Sequence, residues 1–212
     1  MVRKWIGYIG VGSLMCAALG CGILYTRQAR LQQTISDKVL RFHVLANSDS
    51  EADQNLKLAV RDAVGSFMQE KLTAVENLEE CELVVRQSLG EIEEAAAETI
   101  AENGYDYDVT AELEHTSFPV KNYGSYTFPA GGYEALRIVI GEGNGHNWWC
   151  VMYPNMCFSD SMYEVVDKEA GEKLREVLTT EEYEKVLAEG DYQVRMKYFS
   201  WLNLYLEKLA EN

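Results

Sequence analysis

Hydrophobic and polar positions follow two clear rhythms along the chain. Val39–Ala46 (VLRFHVLA) has a period of two, with Val39, Arg41, His43 and Leu45 on one face and Leu40, Phe42, Val44 and Ala46 on the other, as a β-strand requires. It ends at Asn47-Ser48-Asp49-Ser50, and Asn47, Ser48 and Asp49 are read as the cap of the next helix. Ser48 with Glu51 fits a capping box, and Ser50 with Asp53 is a second register. Leu56, Val60, Ala63, Val64, Phe67 and Leu72 then recur at helical spacing, with Glu51 and Asp53 at the positive end of the helix dipole. A second helix is predicted over about Leu78–Asn103, its stripe carrying Leu78, Cys81, Val85, Leu89, Ile92, Ala96 and Ile100, with Gly104 as C-cap. Cys81 on that stripe reads as a small buried hydrophobe.

Tyr107–His115 alternates again, with Tyr107, Val109, Ala111 and Leu113 inward. The loop Phe118–Gly132 holds four aromatic rings, Phe118, Tyr123, Tyr126 and Phe128, too many to bury in so short a segment. They form a lid over the core or part of a contact surface. Tyr133–Ile140 is the next strand, with Leu136, Ile138 and Ile140 on one face. Gly141-Glu142-Gly143-Asn144-Gly145 turns the chain, and Asn147–Tyr153 is read as the returning half of a hairpin. Beyond residue 160, helices are predicted at Glu169–Leu178, from Thr179 to Gly190 and over about Gln193–Leu209. The fold class is α+β: a small, mostly antiparallel sheet packed by two long helices, with a helical C-terminal appendage. The expected division is an N-terminal membrane or signal segment at 1–25, a tether at 26–38, an α+β domain at 39–160 and the helical region at 161–212.

Charge narrows the function. The 212 residues carry a net charge of −15, and all 34 Asp and Glu lie after residue 26. Such a body is repelled by phosphate backbones and anionic lipid surfaces, so no nucleic acid is expected as a partner. The N-terminus is different. Trp5–Tyr25 holds no charged residue and follows Arg3 and Lys4; as a helix it would span about 31 Å, the thickness of a hydrocarbon core. A retained membrane anchor, signal cleavage after Ala18-Leu19-Gly20, and lipidation at Cys21 are the competing fates. Each exports the remainder of the chain.

Export bears on the cysteines. Cys150 and Cys157 are separated by about 23 Å if extended, whereas a disulfide brings Cα atoms to about 6 Å. If they pair, the chain doubles back between them, and Pro154-Asn155 offers turn chemistry there. An oxidising compartment favours that pairing and leaves Cys81 as the odd thiol. His146 and Cys150 could alternatively be read as base and nucleophile, but no acid is obviously placed to orient the histidine. His43, His115 and His146 are scattered and the cysteine spacing is not that of a zinc site, so neither metal nor cofactor is expected. His43 reads as a satisfied strand histidine. Trp148 and Trp149 are adjacent, so on a strand their rings face opposite ways and one can anchor an interface.

Two stretches stand together: LRFHVLANSDSEADQNLKLAVRDAV at 40–64 and FPAGGYEALRIVIGEGNGHNWWCVMYPNMCF at 128–158. The pair resembles the stage II sporulation protein R family of endospore-forming bacteria, over roughly residues 38–160. The resemblance implies an exported signalling protein of the septal intermembrane space, not an enzyme. Its implied partner is a membrane-embedded aspartic protease that removes the pro-sequence from the sigma-E precursor; no small-molecule substrate is expected. The family's tryptophan–cysteine motif usually has two prolines before the second cysteine, whereas here Asn155 follows Pro154. The partner-binding candidates are Trp148, Trp149, Asn147 and His146 in the cysteine knuckle, Tyr126 and Phe128 in the aromatic loop, and Arg61 and Asp62 on the first helix. An exported cysteine-dependent hydrolase acting on cell wall or peptide is the alternative; a small ligand under the aromatic loop, in a closed apolar pocket, is a third reading.

Overall fold

The computed structural model describes residues 19–23, 25–156 and 168–187. Most of Trp5–Tyr25 lies outside them, as do Cys157 and the helix expected at 193–209. Among the described residues no helix is long and apolar enough to cross a membrane.

A helix over residues 25–36 (α1) leads into β1 (Leu40–Leu45), α2 (Glu51–Lys71) and α3 (Leu78–Glu102). There follow β2 (Val109–Phe118), β3 (Lys121–Tyr123), β4 (Tyr126–Phe128), β5 (Gly131–Ile140), β6 (Asn147–Tyr153), α4 (Lys168–Val177) and α5 (Thr180–Leu187). Helix ends follow local chemistry. Ser50 caps α2 by accepting from the Asp53 N–H, the second of the two registers. Gly104, at φ +82°, closes α3, with the Gly104 N–H on the Ala101 carbonyl and the Tyr105 N–H on the Ile100 carbonyl, the bonds of a Schellman motif. Thr179 and Glu182 exchange reciprocal bonds at the start of α5.

The four-stranded sheet has the order β2-β5-β1-β6. It is mixed: the outer pairs β2–β5 and β1–β6 are antiparallel, but the central pair β1–β5 is parallel. The expected hairpin between Tyr133–Ile140 and Asn147–Tyr153 does not form. β1 lies between those strands and pairs with both, because a central strand buried on both faces satisfies more backbone and apolar surface than a two-stranded ribbon would. The true hairpin is β2–β5, and β3 and β4 are a smaller ribbon inserted in its connection, turning at Gly124 with φ +56°.

Two cores flank this sheet. Leu40, Phe42 and Val44 of β1 and Leu136, Ile138 and Ile140 of β5 pack against Leu56, Val60 and Val64 of α2 and Val85, Ile92 and Ala96 of α3. Cys81 belongs to this layer, and burial pushes its thiol up to about 12. The opposite face is also covered. Phe118, Phe128, Tyr133 and Val151 join Ile35 of α1, Leu174 of α4 and Val186 of α5 in a second core. Each fully buried aliphatic or aromatic side chain contributes about 1.5–3 kcal/mol relative to exposure. The described part of the C-terminal region is therefore built into the domain. Lys38–Glu182 at 2.6 Å and Arg27–Glu181 at 2.7 Å tie the turn after α1, and α1 itself, to α5.

Candidate partner-binding face

The six residues 141–146 must carry the chain from β5 to β6 across the end of β1, and they do so by bonding to the turn that follows β1. Gly145 N–H donates to the Ala46 carbonyl at 2.9 Å and Asn144 N–H to the Asn47 carbonyl at 3.1 Å. Asn47 Oδ1 accepts from the Glu142 N–H at 3.0 Å, and Asp49 Oδ1 from the His146 N–H at 2.6 Å. Glycine is required at Gly145, where a Cβ would fall 2.3 Å from the Ser48 carbonyl oxygen. Gly141 and Gly143 adopt φ of +57° and +63°, the left-handed region that glycine enters freely.

The start of α2 completes this junction. Asp53 is 5 % exposed and accepts from Ser48 Oγ at 2.5 Å and Asn47 Nδ2 at 3.0 Å. Those hydrogen bonds, that of Ser48 above all, hold its carboxyl below the usual carboxylate range. Lys57 Nζ donates to the His146 carbonyl at 3.0 Å and to Gln54 Oε1 at 2.5 Å, and burial lowers its pKa. Asn47, Ser48 and Asp49 thus do not cap the helix as expected. They face the 141–146 loop and Asp53, because the crossing loop offers unpaired N–H groups at that end of the sheet. Asp49 also contacts the His146 ring through Nδ1, so the histidine does have an orienting acid that sequence spacing concealed. Hydrogen bonds from His146 hold the Asp49 carboxyl low.

The neighbouring face of the sheet holds an unexpected cation. Arg41 is fully buried. Its guanidinium donates from Nε to the Cys150 carbonyl and from Nη2 to Tyr123 Oη, both at 2.9 Å. Phe118, Tyr133, Phe128 and Tyr123 surround it, with ring centroids 4.4, 5.0, 5.3 and 5.7 Å away. The aromatic loop is therefore a lid, as one reading held, and what it encloses is Arg41. Beside it, His43 stacks on Trp149 with ring centroids 4.9 Å apart and planes 5° from parallel. Burial, with Arg137 and Arg41 nearby, lowers His43 to about 4. Among the described residues Asn147 approaches its ring without completing a hydrogen bond, and both ring nitrogens and Asn147 Oδ1 lack a partner in good geometry. The expectation of a satisfied histidine is corrected accordingly.

The remaining candidates divide sharply. Trp148 and Trp149 do face opposite ways, and both are half-buried, so neither ring is the freely exposed anchor that was one alternative. Trp148 packs edge-on against Phe42 at 5.5 Å and under Arg61 at 5.0 Å. Arg61 is buried and pairs with Asp62 at 2.6 Å, and Phe128 is wholly buried. Neither Arg61 nor Phe128 can meet a partner directly, because the helix layer and the aromatic lid consume them. Tyr126 is half-buried, its hydroxyl 3.2 Å from that of Tyr183 on α5. His146 remains exposed. Cys150 is 3 % exposed on β6, and its expected partner Cys157 lies outside the described residues. Among the described residues no cluster of His, Cys, Asp and Glu could hold a metal ion.

Sequence reasoning passed over Arg41, Lys57 and Lys121 as site-builders. The one available signal was an arginine on a strand whose other face is uniformly apolar. It identifies a special position only if the second face is also known to be covered.

Known proteins complete the picture. A curated protein described as stage II sporulation protein R, from Bacillus subtilis (strain 168), is 41 % identical over 147 residues, covering 67 % of this chain and 66 % of its own length. No solved structure matches the chain significantly. The family model described as stage II sporulation protein R matches residues 36–163, an interval that contains β1 through β6 and the whole junction between the 46–49 turn and the 141–146 loop. The chain belongs to the stage II sporulation protein R family.

Proposed function

We propose that this chain is an exported sporulation signalling protein that activates a membrane-embedded aspartic protease, which then processes the sigma-E precursor. The family supports the sporulation role. The observation that carries the finer reading is the convergence of the two motif stretches on one rigid end of the sheet. There the exposed residues Glu142, Asn144 and His146 stand beside half-buried Trp148 and Trp149. A loop held by backbone bonds to its neighbour is pre-organised, which suits recognition because little ordering entropy remains to be lost on docking. In this reading the chain is not an enzyme: it binds the protease's external face and shifts the protease toward its active state. The buried Cys150 and exposed His146 do not favour the hydrolase alternative.

Trp149→Ala is the test. Trp148 packs on Phe42 of the main core and Trp149 on His43 and Phe118 beside the second, so folding is checked before processing is read. Trp149→Ala should leave the domain folded, by circular dichroism, and exported, while precursor processing in sporulating cells falls at least tenfold, that is by about 1.4 kcal/mol or more of docking energy. Normal processing by a folded, exported Trp149→Ala chain would reject this surface.

A further inference from the structure

We propose that Lys121 and Trp149, with His43 and Arg41 behind them, form a receptor for one aspartate or glutamate side chain, flanked by an apolar residue, on the protein this chain docks against. The proposal rests on the reading that the chain works by docking. Its starting point is charge. The chain carries −15 overall, and several of its cations are neutralised: Arg137 by Glu112 and Glu114, Lys71 by Glu91, Lys38 by Glu182. Lys121 and Arg41 form no ion pair among the described residues. Lys121 Nζ lies 5.7 Å from the Trp149 ring centroid, and the same ring covers His43.

The buried groups behind this pair point to a ligand as well. Arg41 is wholly buried, yet among the described residues Nη1 makes no hydrogen bond. A buried guanidinium is ordinarily matched to a carboxylate, since an isolated charge is costly in a medium of low polarity. Here π-faces and two hydrogen bonds take that place and leave the positive potential unneutralised. His43 and Lys121 both register it: Arg41 is among the causes that lower each pKa, after burial itself. An incoming carboxylate would meet an ammonium group at the surface and a second cation in a region screened little by salt. The Trp149 face beside it suits an apolar neighbour. An anionic membrane would offer negative charge too, but a body this acidic is repelled by such a surface as a whole. A single carboxylate on a protein avoids that repulsion.

The full chain can be titrated with two synthetic peptides, acetyl-Gly-Leu-Asp-Leu-Gly-amide and its Asn counterpart. Binding is read from the indole NMR signal of Trp149, assigned with Trp149→Phe. The Asp peptide should bind about tenfold or more tighter than the Asn peptide. Lys121→Glu should abolish that preference, and Lys121→Arg should keep it. Equal binding of the two peptides, no binding of either, or a preference unchanged in a folded Lys121→Glu chain would overturn the proposal. So would Lys121-dependent binding to phosphatidylglycerol vesicles in place of peptide. The protease reading fails separately: precursor processing that persists without this chain would reject it and leave the peptide result standing.

Discussion

At the scale of single residues, Arg41 dominates. It stands where an alternating strand offers a side chain to the sheet's second face, and that face is roofed by Phe118, Phe128 and Tyr133. Two effects compete there. Desolvating the guanidinium costs several kcal/mol, whereas charge-assisted hydrogen bonds give about 1.5–3 kcal/mol each and a desolvated cation–π contact about 2 kcal/mol. With two such bonds and four rings, the favourable side prevails. Removing the side chain also leaves the Cys150 carbonyl and Tyr123 hydroxyl without their donor. Arg41→Ala should therefore destabilise the fold by about 3–5 kcal/mol, seen as a lower urea midpoint. Arg41→Met, which refills the volume without the charge, should lose markedly less. Equal losses in the two variants would show that the guanidinium's hydrogen bonds and ring contacts, and not the filled volume, hold this position.

At the scale of elements, the junction between the 46–49 turn and the 141–146 loop explains the second motif. Its glycines mark where one backbone passes over another, and Gly145 is the tightest because its neighbour is a carbonyl oxygen that cannot rotate away. Gly145→Ala should cost more than about 2 kcal/mol, since the loop must lift and lose the bond to the Ala46 carbonyl. Hydrogen exchange would show the Asn144 and Gly145 amides losing protection first. Ala at Gly104, where nothing crowds a Cβ, should be milder, with only the strain of positive φ, about 1 kcal/mol. Helices α2 to α5 and strands β1, β2, β5 and β6 could be read from periodicity and capping chemistry, although the α2 cap is Ser50 and not Asn47, Ser48 or Asp49. Strand pairing could not: Gly141–Gly145 looks like a hairpin turn, and nothing local reveals that β1, roughly a hundred residues earlier, inserts between the strands it joins.

At the scale of the molecule, one sheet carries a core on each face, and a buried histidine couples the second to pH. His43 has a folded pKa of about 4 against an ordinary 6.5. Its neutral form is favoured in the fold, so the unfolded chain binds more protons between those values. The resulting stability is fully present above about pH 6.5 and is lost as pH falls toward 4, amounting to about 3 kcal/mol over that window. Urea unfolding at pH 7 and pH 4 should show that loss in the natural chain, and His43→Gln should remove most of it. Asp53, whose carboxyl is held low, contributes stability in the same sense but at more acidic pH.

The sequence by itself determined what each segment is: period-two runs give strands, period-3.6 stripes give helices, and Ser50, Gly104 and Thr179 set boundaries through bonds that span a few residues. It also determined the family, because two long motifs are specific without any coordinates. Only the tertiary structure decided which strands pair, that the sheet is covered on both faces, and which candidates are spent internally. Arg61, Phe128 and the residues Asn47–Asp49 are indistinguishable in sequence from groups offered to a partner. Their fate depends on contacts between segments roughly a hundred residues apart, and no local pattern encodes the loop closure that brings those segments together.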